Sequence, residues 1–172
     1  MKRDVVSVIK FLIKITMNNH QDEYFMTLAL KEARKAYIKK EVPVGCVIVL
    51  NGEVIARAHN QRHKNKSVFD HAEIIAIKKA NKKLNSWMLD EAIMYVTLEP
   101  CLMCAGAIIQ SRIKRIVYAA TEPKFGVFGS VLNLKDHMHK FNHQLEVTPL
   151  IMKEESSTLL KTFFKEIRNT KS

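Results

Sequence analysis

The stretch IMYVTLEPCLMCAGAIIQSRIKRIVYAA, residues 93–120, decides the fold of this chain. Residues 93–98 are a short apolar run rich in β-branched and aromatic side chains, which predicts a strand. Pro100 suits the first turn of a helix, and residues 101–111 carry apolar side chains at helical spacing. Residues 115–120 are again typical of a strand. Strand, helix and strand in succession indicate an α/β protein.

The upstream half of the chain continues this alternation. Residues 22–40 place apolar side chains on one helical face, and residues 44–50 form a nearly continuous apolar run that indicates a strand buried on both faces. The dipeptide NG at 51–52 predicts a tight turn into a second strand over residues 53–59. Residues 71–83 again have the spacing of a helix.

The downstream third completes the predicted fold. Residues 121–130 contain glycine and predict a loop, residues 144–150 are a weaker strand candidate, and residues 153–168 have the apolar spacing of an amphipathic helix. We therefore expect an α/β three-layer sandwich, in which a sheet of about five strands carries helices on both faces.

Length and composition are those of a basic, single-domain globular protein. The chain has 172 residues, 47% hydrophobic and 26% charged, and can bury a core without disulfide support. We expect residues 21–172 to form the domain, preceded by a tail over residues 1–20. Met17 lies just before the first strong pattern, so residues 1–16 are a candidate for an over-called start. The net charge of +11 would attract a polyanion such as a nucleic acid.

The cysteines and the apolar N-terminal run bear on location. Three cysteines cannot form the even-numbered disulfide framework of a small secreted domain, which favours a reducing compartment and predicts a cytoplasmic protein. The apolar run over residues 5–17 is interrupted by Lys10 and Lys14 and is too short to span a bilayer. We therefore expect no membrane partner.

Two short strings carry the side chains of a candidate metal site: HAE at residues 71–73 and PCLMC at residues 100–104. Cys101 and Cys104 are three residues apart, so on a helical turn their sulfurs share a face and can bind one ion. A Cys-x-x-Cys pair by itself leaves a redox motif and a structural zinc site open. With one imidazole as the third ligand, zinc would keep a fourth position for water, which is the arrangement of catalytic sites.

Glu73 is the candidate proton carrier. Residues two apart on a helix point in different directions, so Glu73 should not share a metal with His71. It is placed instead to accept a proton from water and deliver it to a ring nitrogen and a departing amine. Hydrolytic deamination of a base needs these transfers. The pattern H-x-E … P-C-x-x-C is the known signature of the zinc nucleobase deaminases, the tRNA adenosine deaminases among them.

Strings beyond this signature carry a family resemblance. They are EVPVG (41–45), HAEI (71–74), TLEPCLMCAGAI (97–108), SRI (111–113), NH (142–143) and FF (163–164). On these strings the chain resembles the bacterial tRNA-specific adenosine deaminases of the zinc-dependent cytidine and deoxycytidylate deaminase superfamily, over about residues 22–168. Free-base deaminases share HAE and PCxMC, so the GAI segment, the FF pair and the basic charge are the discriminating features.

The resemblance implies a fold, an activity and a metal site. The fold is cytidine deaminase-like, with a five-stranded mixed sheet. The activity is hydrolytic conversion of adenosine to inosine at the wobble position of a tRNA anticodon, principally in an arginine tRNA, by a homodimer. One zinc per subunit would be held by His71, Cys101 and Cys104, its hydroxide would attack the base, and Glu73 would shuttle the proton.

The resemblance also implies six substrate-binding residues. Asn60 and Val44, helped by the backbone amide of Ala72, would hold the flipped-out purine. The flanking nucleotides of the anticodon loop would meet Glu122, Lys124 and Phe163. The sequence departs from the common family pattern at three positions, Asp70, Glu122 and Phe125.

Two other functions stay open on the sequence. A deaminase of a free base or nucleotide, of guanine, cytosine or cytidine type, would capture its substrate with little salt dependence, whereas RNA binding weakens steeply with salt. A non-catalytic, zinc-stabilised binding module would tolerate Glu73→Ala. Cys46 lies inside an apolar strand and is predicted to be a core residue, not a ligand.

Overall fold

One five-stranded sheet organises the protein, which a computed structural model describes for the backbone of residues 5–170 and the side chains of residues 19–170. In sheet order the strands are β2 (Glu53–His59), β1 (Gly45–Leu50), β3 (Ile93–Leu98), β4 (Arg115–Ala120) and β5 (Glu146–Thr148). β1 runs antiparallel to β2 and β3, whereas β3, β4 and β5 are mutually parallel. The sheet is therefore mixed, and the predicted α/β fold class is confirmed.

Helices cover both faces of this sheet. In the described residues they are α1 (Val5–Ile38), α2 (Arg62–Asn65), α3 (Ala72–Leu84), α4 (Leu102–Gln110) and α5 (Lys153–Asn169), with a 3₁₀ helix over Leu134–Lys140. Side chains of α1 pack on one face of the sheet, and side chains of α3 and α4 pack on the other. Within the described chain, no helix combines the length and apolar character needed to cross a membrane.

The alternation of side chains along β1 divides the core into two layers. Cys46 and Ile48 belong to the larger cluster, under α3 and α4, whereas Val47 and Val49 belong to the cluster under α1. All four side chains are buried. A strand with helices on both faces needs apolar residues at every position, which explains the continuous run over residues 44–50. Cys46 is a core residue, as predicted.

Most element bounds agree with the sequence prediction. The dipeptide NG at 51–52 joins β1 to β2 with φ of 52° and 80° at its two residues, as a two-residue hairpin turn requires. α3, α4 and α5 each begin and end within one residue of the predicted ranges. Their apolar spacing was decisive because each of these helices packs one face against the sheet or against α1.

Three differences have local physical causes. α1 begins at Val5 and not at residue 22, because neither proline nor glycine interrupts residues 5–38. β5 is shorter than predicted, since Leu150 and Met152 adopt positive φ, 67° and 57°, and redirect the chain into α5. The sequence does not predict α2 or the 3₁₀ helix, because four and seven residues are too few to establish a periodicity.

A buried ion pair fixes α1 to the sheet. The Asp22 carboxylate is 2% exposed and accepts hydrogen bonds from both terminal nitrogens of Arg115, at 3.1 and 2.5 Å. It also accepts a hydrogen bond from the Tyr95 hydroxyl at 2.8 Å. Arg115 Nε donates to Thr148 Oγ1 at 3.0 Å. One carboxylate thereby links α1 to β3 and β4, and Arg115 extends the link to β5.

A second polar chain joins α1 to the end of β2. Lys39 Nζ lies 3.0 Å from His59 Nε2, and His59 Nδ1 lies 3.2 Å from Glu32 Oε2. Burial lowers the pKa of His59, so the ring is neutral and can accept from Lys39 while donating to Glu32. Burial opposes ionisation of Glu32 as well, but hydrogen bonds from Lys35 and His59 outweigh it and lower the pKa of Glu32. These contacts fix the chain immediately before Asn60.

Candidate metal centre and active-site pocket

The N-terminal ends of α3 and α4 bring one imidazole and two thiols together. His71 and Cys101 occupy the N-cap positions of α3 and α4, and Cys104 lies in the first turn of α4. His71 Nδ1 lies 3.5 Å from Cys104 Sγ and 3.8 Å from Cys101 Sγ. The three ligand atoms all lie within 4.8 Å of one another. The structure therefore brings together the two strings in which the sequence places the metal site.

The three side chains fit a tetrahedral zinc ion. Zinc–sulfur bonds of ~2.3 Å and zinc–nitrogen bonds of ~2.05 Å put tetrahedral nitrogen and sulfur ligands about 3.6 Å apart. The nitrogen–sulfur separations of 3.5 and 3.8 Å match this value. Cys104 is buried, whereas His71 and Cys101 are partly exposed and face a pocket. One side of the group is thus open, as a site that also binds water requires.

Hydrogen bonding within the group prepares a thiolate. A hydrogen bond from the Cys104 thiol lowers the pKa of Cys101 to about 4, although burial opposes the shift. The same hydrogen bond, together with burial, raises the pKa of Cys104. The hydrogen bond with Cys101 raises the pKa of His71. The protons shared among these groups are the ones that a divalent cation would displace on binding.

Glu73 lies beside this group without belonging to it. It is in the first turn of α3, is 4% exposed and lines the same pocket as His71 and Cys101. Burial raises the pKa of its carboxyl, so a proton taken up there is held more firmly than by an exposed glutamate. A buried carboxyl beside a candidate metal site is placed to accept a proton and release it again.

The pocket above the group has a volume of about 450 Å³, which lies in the range that takes a small ligand. Four of the predicted substrate-binding residues line it: Val44, Asn60, Glu122 and Lys124. Ala72 is fully buried at the start of α3 and does not line the pocket with its side chain. The contribution predicted for Ala72 is its backbone N–H group, and the buried position of the side chain does not contradict that prediction.

The structure does not bring Phe163 to the pocket. Phe163 is 4% exposed, and its ring packs edge-to-face against Tyr37, with 5.6 Å between ring centroids. Phe164 is 43% exposed and lines the pocket instead. The two rings touch, with centroids 5.5 Å apart. The reason is the packing of α5 on α1, which turns Phe163 inward and leaves the next residue at the pocket. The FF pair predicts an aromatic ring at the pocket, but it does not indicate which of the two residues supplies that ring.

A buried carboxylate that the sequence reasoning missed supports the wall around Asn60. Glu41 is 1% exposed and accepts hydrogen bonds from the backbone N–H groups of His63, at 3.1 Å, and Lys64, at 2.6 Å. The Asn60 side-chain nitrogen lies 3.5 Å from the same carboxylate. Its sequence signal is an acidic residue between a helix and a buried strand, at the start of EVPVG.

Asp70, one of the three departures from the family pattern, closes the α2 segment. Its carboxylate accepts a hydrogen bond from Asn65 Nδ2 at 2.8 Å, and its backbone carbonyl accepts one from the Gln61 N–H at 3.0 Å. Phe125, another departure, is 68% exposed and lines the pocket. Asp70 therefore stabilises the loop before His71 through hydrogen bonds, whereas Phe125 adds an exposed apolar ring to the lining of the pocket.

The fold and the site together define a class of protein. A five-stranded mixed sheet carries, at two helix N-termini, the H-x-E and P-C-x-x-C strings, and these place a histidine, two cysteines and a buried glutamate around one pocket. That combination is characteristic of the hydrolytic deaminases that have the cytidine deaminase-like fold.

Comparisons with known proteins narrow this class. The family model for MafB19-like deaminases matches residues 18–168. The tRNA-specific adenosine deaminase of Bacillus subtilis (strain 168) is 48% identical over 151 residues, which cover 88% of this chain and 93% of that protein. The tRNA-specific adenosine deaminase of Aquifex aeolicus (strain VF5) is 46% identical over 149 residues, which cover 86% of this chain and 96% of that protein.

A solved structure agrees with these relatives. It comes from biochemical and structural studies of A-to-I editing by tRNA:A34 deaminases at the wobble position of transfer RNA. It superposes with a TM-score of 0.75 at 42% identity, covering 80% of this chain and 99% of that one. The chain therefore belongs to the family of the tRNA-specific adenosine deaminases.

Proposed function

We propose that this protein hydrolytically deaminates adenosine to inosine at the wobble position of a tRNA anticodon, with an arginine tRNA as the principal substrate. One zinc ion per subunit would be held by His71, Cys101 and Cys104. The observation that carries the proposal is the buried Glu73 carboxyl beside this His/Cys/Cys group, at a pocket open to solvent. Relatives at 46–48% identity that are named tRNA-specific adenosine deaminases support the choice of substrate.

The chemistry divides between the metal and Glu73. Zinc held by His71, Cys101 and Cys104 would supply a Lewis acid that makes a water molecule acidic near neutral pH. The Glu73 carboxylate accepts a proton from the attacking water and delivers it to N1 of the adenine ring as the oxygen bonds to C6. Glu73 then takes the proton of the new C6 hydroxyl and passes it to the amino group, so that the C6–N bond breaks, ammonia leaves and the C6 carbonyl of inosine forms. A carboxyl whose pKa is raised by burial suits both acceptance and release.

The pocket side chains would bind the extruded base and its neighbours. Asn60 offers an amide and Val44 an apolar contact to the purine, and the first-turn amide of Ala72 lies next to the ligand His71. Glu122 and Lys124 line the same pocket and would contact the flanking nucleotides of the anticodon loop. Of the FF pair, Phe164 lines the pocket and would stack on a base, and the ring of Phe163 packs against it. The net charge of +11 favours capture of an RNA.

We further propose a homodimer in the cytoplasm, where tRNA is modified. Three exposed apolar residues lie close, along the backbone, to the metal-ligating string. Leu102 is 59% exposed, and Val131 and Leu132 are 52% and 51% exposed. Cys101, next to Leu102, forms a β-bridge with Gly126, whose carbonyl accepts the Val131 N–H at 2.9 Å, so the three side chains share one region. Such a patch is typical of an interface. Val131→Glu should halve the mass measured by light scattering, whereas an unchanged mass would reject this surface.

Inosine formation in an anticodon stem-loop tests the function. The purified protein should convert the wobble adenosine to inosine, and the rate at subsaturating RNA should fall steeply with salt. Turnover of free guanine or cytidine with none on RNA would instead identify a free-base deaminase. Glu73→Gln should lower kcat by about 10²–10⁴-fold with one zinc per subunit still bound. Glu91→Gln makes the same chemical change at a 67% exposed carboxylate and should have no effect. RNA binding without turnover in the wild type, left unchanged by Glu73→Gln, would indicate a non-catalytic binding module.

A further inference from the structure

Glu99 is a buried carboxylate directly before the metal-ligating string. It is 2% exposed. Its Oε1 accepts hydrogen bonds from the backbone N–H groups of Phe128, at 2.8 Å, and Ser130, at 3.2 Å. Its Oε2 accepts the N–H of Glu122 at 3.1 Å and the hydroxyl of Ser130. All four donors belong to residues 121–133, which we call the pocket loop. Both oxygens of the carboxylate are therefore occupied by one loop.

The pocket loop is also in close steric contact with Glu99. A Cβ atom added to Gly126 would lie 2.5 Å from Glu99 Cδ and 2.6 Å from Glu99 Oε2, closer than van der Waals contact allows. The loop is joined to the metal-ligating string as well, through the β-bridge between Gly126 and Cys101 and a 3.2 Å bond from the Val127 N–H to the Pro100 carbonyl. The loop can approach the site this closely only because residue 126 is glycine.

The pocket side of this loop has little core contact of its own. Glu122, Lys124 and Phe125 line the pocket, and Phe125 is 68% exposed. Burial of apolar side chains therefore does not fix their position. The hydrogen bonds to Glu99 at Glu122, on one side, and at Phe128 and Ser130, on the other, bracket this segment.

We propose that Glu99 is a positioning residue for substrate capture: it sets where Glu122, Lys124 and Phe125 stand over the pocket, and takes no part in proton transfer. The inference rests on the proposed RNA substrate. It predicts that weakening the contact between Glu99 and the pocket loop raises KM for RNA and leaves kcat and metal content nearly unchanged.

Glu99→Gln is the first test. A glutamine presents one acceptor oxygen and one NH₂ group, so at least one backbone N–H of the pocket loop faces another donor. KM for an anticodon stem-loop should rise by about tenfold, as expected when a buried hydrogen bond to a charged acceptor is lost, with kcat within about threefold. Zinc should stay at one per subunit. Glu91→Gln, at an exposed position, is the matched control and should match the wild type.

Hydrogen–deuterium exchange gives a readout that does not depend on activity. Peptides covering residues 121–133 should exchange faster in Glu99→Gln than in the wild type. Peptides covering residues 60–70, which also contribute to the pocket lining, should exchange at the same rate in both. A general loss of stability would accelerate both segments and would contradict a positioning role.

Gly126→Ala perturbs the same contact from the loop side and serves if Glu99→Gln fails to fold. Its Cβ would force the pocket loop away from an intact carboxylate, so KM should again rise with kcat preserved. Ser130→Ala removes one donor and leaves three, so its KM should rise less than that of Glu99→Gln.

The outcomes separate this proposal from the proposed function. A wild-type protein that deaminates no RNA rejects the function, whereas unchanged exchange of residues 121–133 in both Glu99→Gln and Gly126→Ala rejects the positioning role whatever the substrate. The positioning role is also overturned if the loop exchanges faster but KM does not change, or if kcat falls while KM stays constant.

Discussion

Replacing Asp22 with alanine should lower the free energy of unfolding by about 3 kcal/mol. The change leaves Arg115 and the Tyr95 hydroxyl without the acceptor that they share. Removing one partner of a buried ion pair costs roughly 3–5 kcal/mol. The Arg115 side chain is 19% exposed and keeps its bond to Thr148, so part of its charge remains solvated. The lower end of the range therefore applies.

Urea unfolding followed by circular dichroism measures this loss. The midpoint should fall at an unchanged m value, and the melting temperature should fall by about 6–12 °C for a domain of this size. Glu23→Ala is the matched control, because the neighbouring Glu23 side chain is 59% exposed, and it should shift the free energy by less than about 0.5 kcal/mol. A loss below about 1 kcal/mol in Asp22→Ala, at constant m, would refute the assignment of this pair as the anchor of α1.

Three further outcomes follow from the metal centre, the N-terminal segment and the buried polar chain. Cys104→Ser should reduce bound zinc, measured by mass spectrometry of the native protein, to well below one per subunit, whereas Cys46→Ala in the core should leave it unchanged. A variant that begins at Met17 should keep its kcat/KM for RNA within about twofold, because the deaminase family model matches the chain from residue 18 onward. The pKa of Glu32 in the folded protein is lowered from 4.5. The stabilisation that the ionised Glu32 gives to the fold is therefore complete above pH ~4.5 and is lost as the pH falls through the lowered pKa. The difference in free energy of unfolding between wild type and Glu32→Gln, measured by urea unfolding, should shrink below pH ~4.5.

The side chains of the candidate metal centre could be predicted from sequence because their spacing is local. Cys101 and Cys104 are one helical turn apart, and Glu73 lies two residues from His71, so spacing alone fixed which side chains share a face. Local spacing does not show, however, that the two strings HAE and PCLMC lie side by side, because that depends on the fold. The antiparallel pairing of β1 with both β2 and β3 puts the carboxyl ends of β2 and β3 at the same edge of the sheet, where α3 and α4 begin.

Which ring of the FF pair lines the pocket could not be predicted from the sequence: it is Phe164 and not Phe163. Successive helical residues point about 100° apart, so the FF string specifies two aromatic directions and not which one faces the pocket. That choice depends on how α5 lies on α1, through the contact of Phe163 with Tyr37. These residues are far apart in the chain, and no local spacing encodes their contact.

The pocket walls depend on two carboxylates whose partners are also distant. The Glu41 carboxylate accepts hydrogen bonds from N–H groups that lie 22 and 23 positions further along the chain. The Glu99 carboxylate accepts hydrogen bonds from N–H groups that lie 23 to 31 positions further along. A buried carboxylate is stable only when such donors offset its desolvation, so each glutamate requires its loop to hold one shape. The walls therefore depend on these two carboxylates, whereas the metal ligands are positioned by the N-termini of α3 and α4. Substitutions in the two loops should consequently change substrate capture, whereas substitutions at the helix N-termini should change turnover.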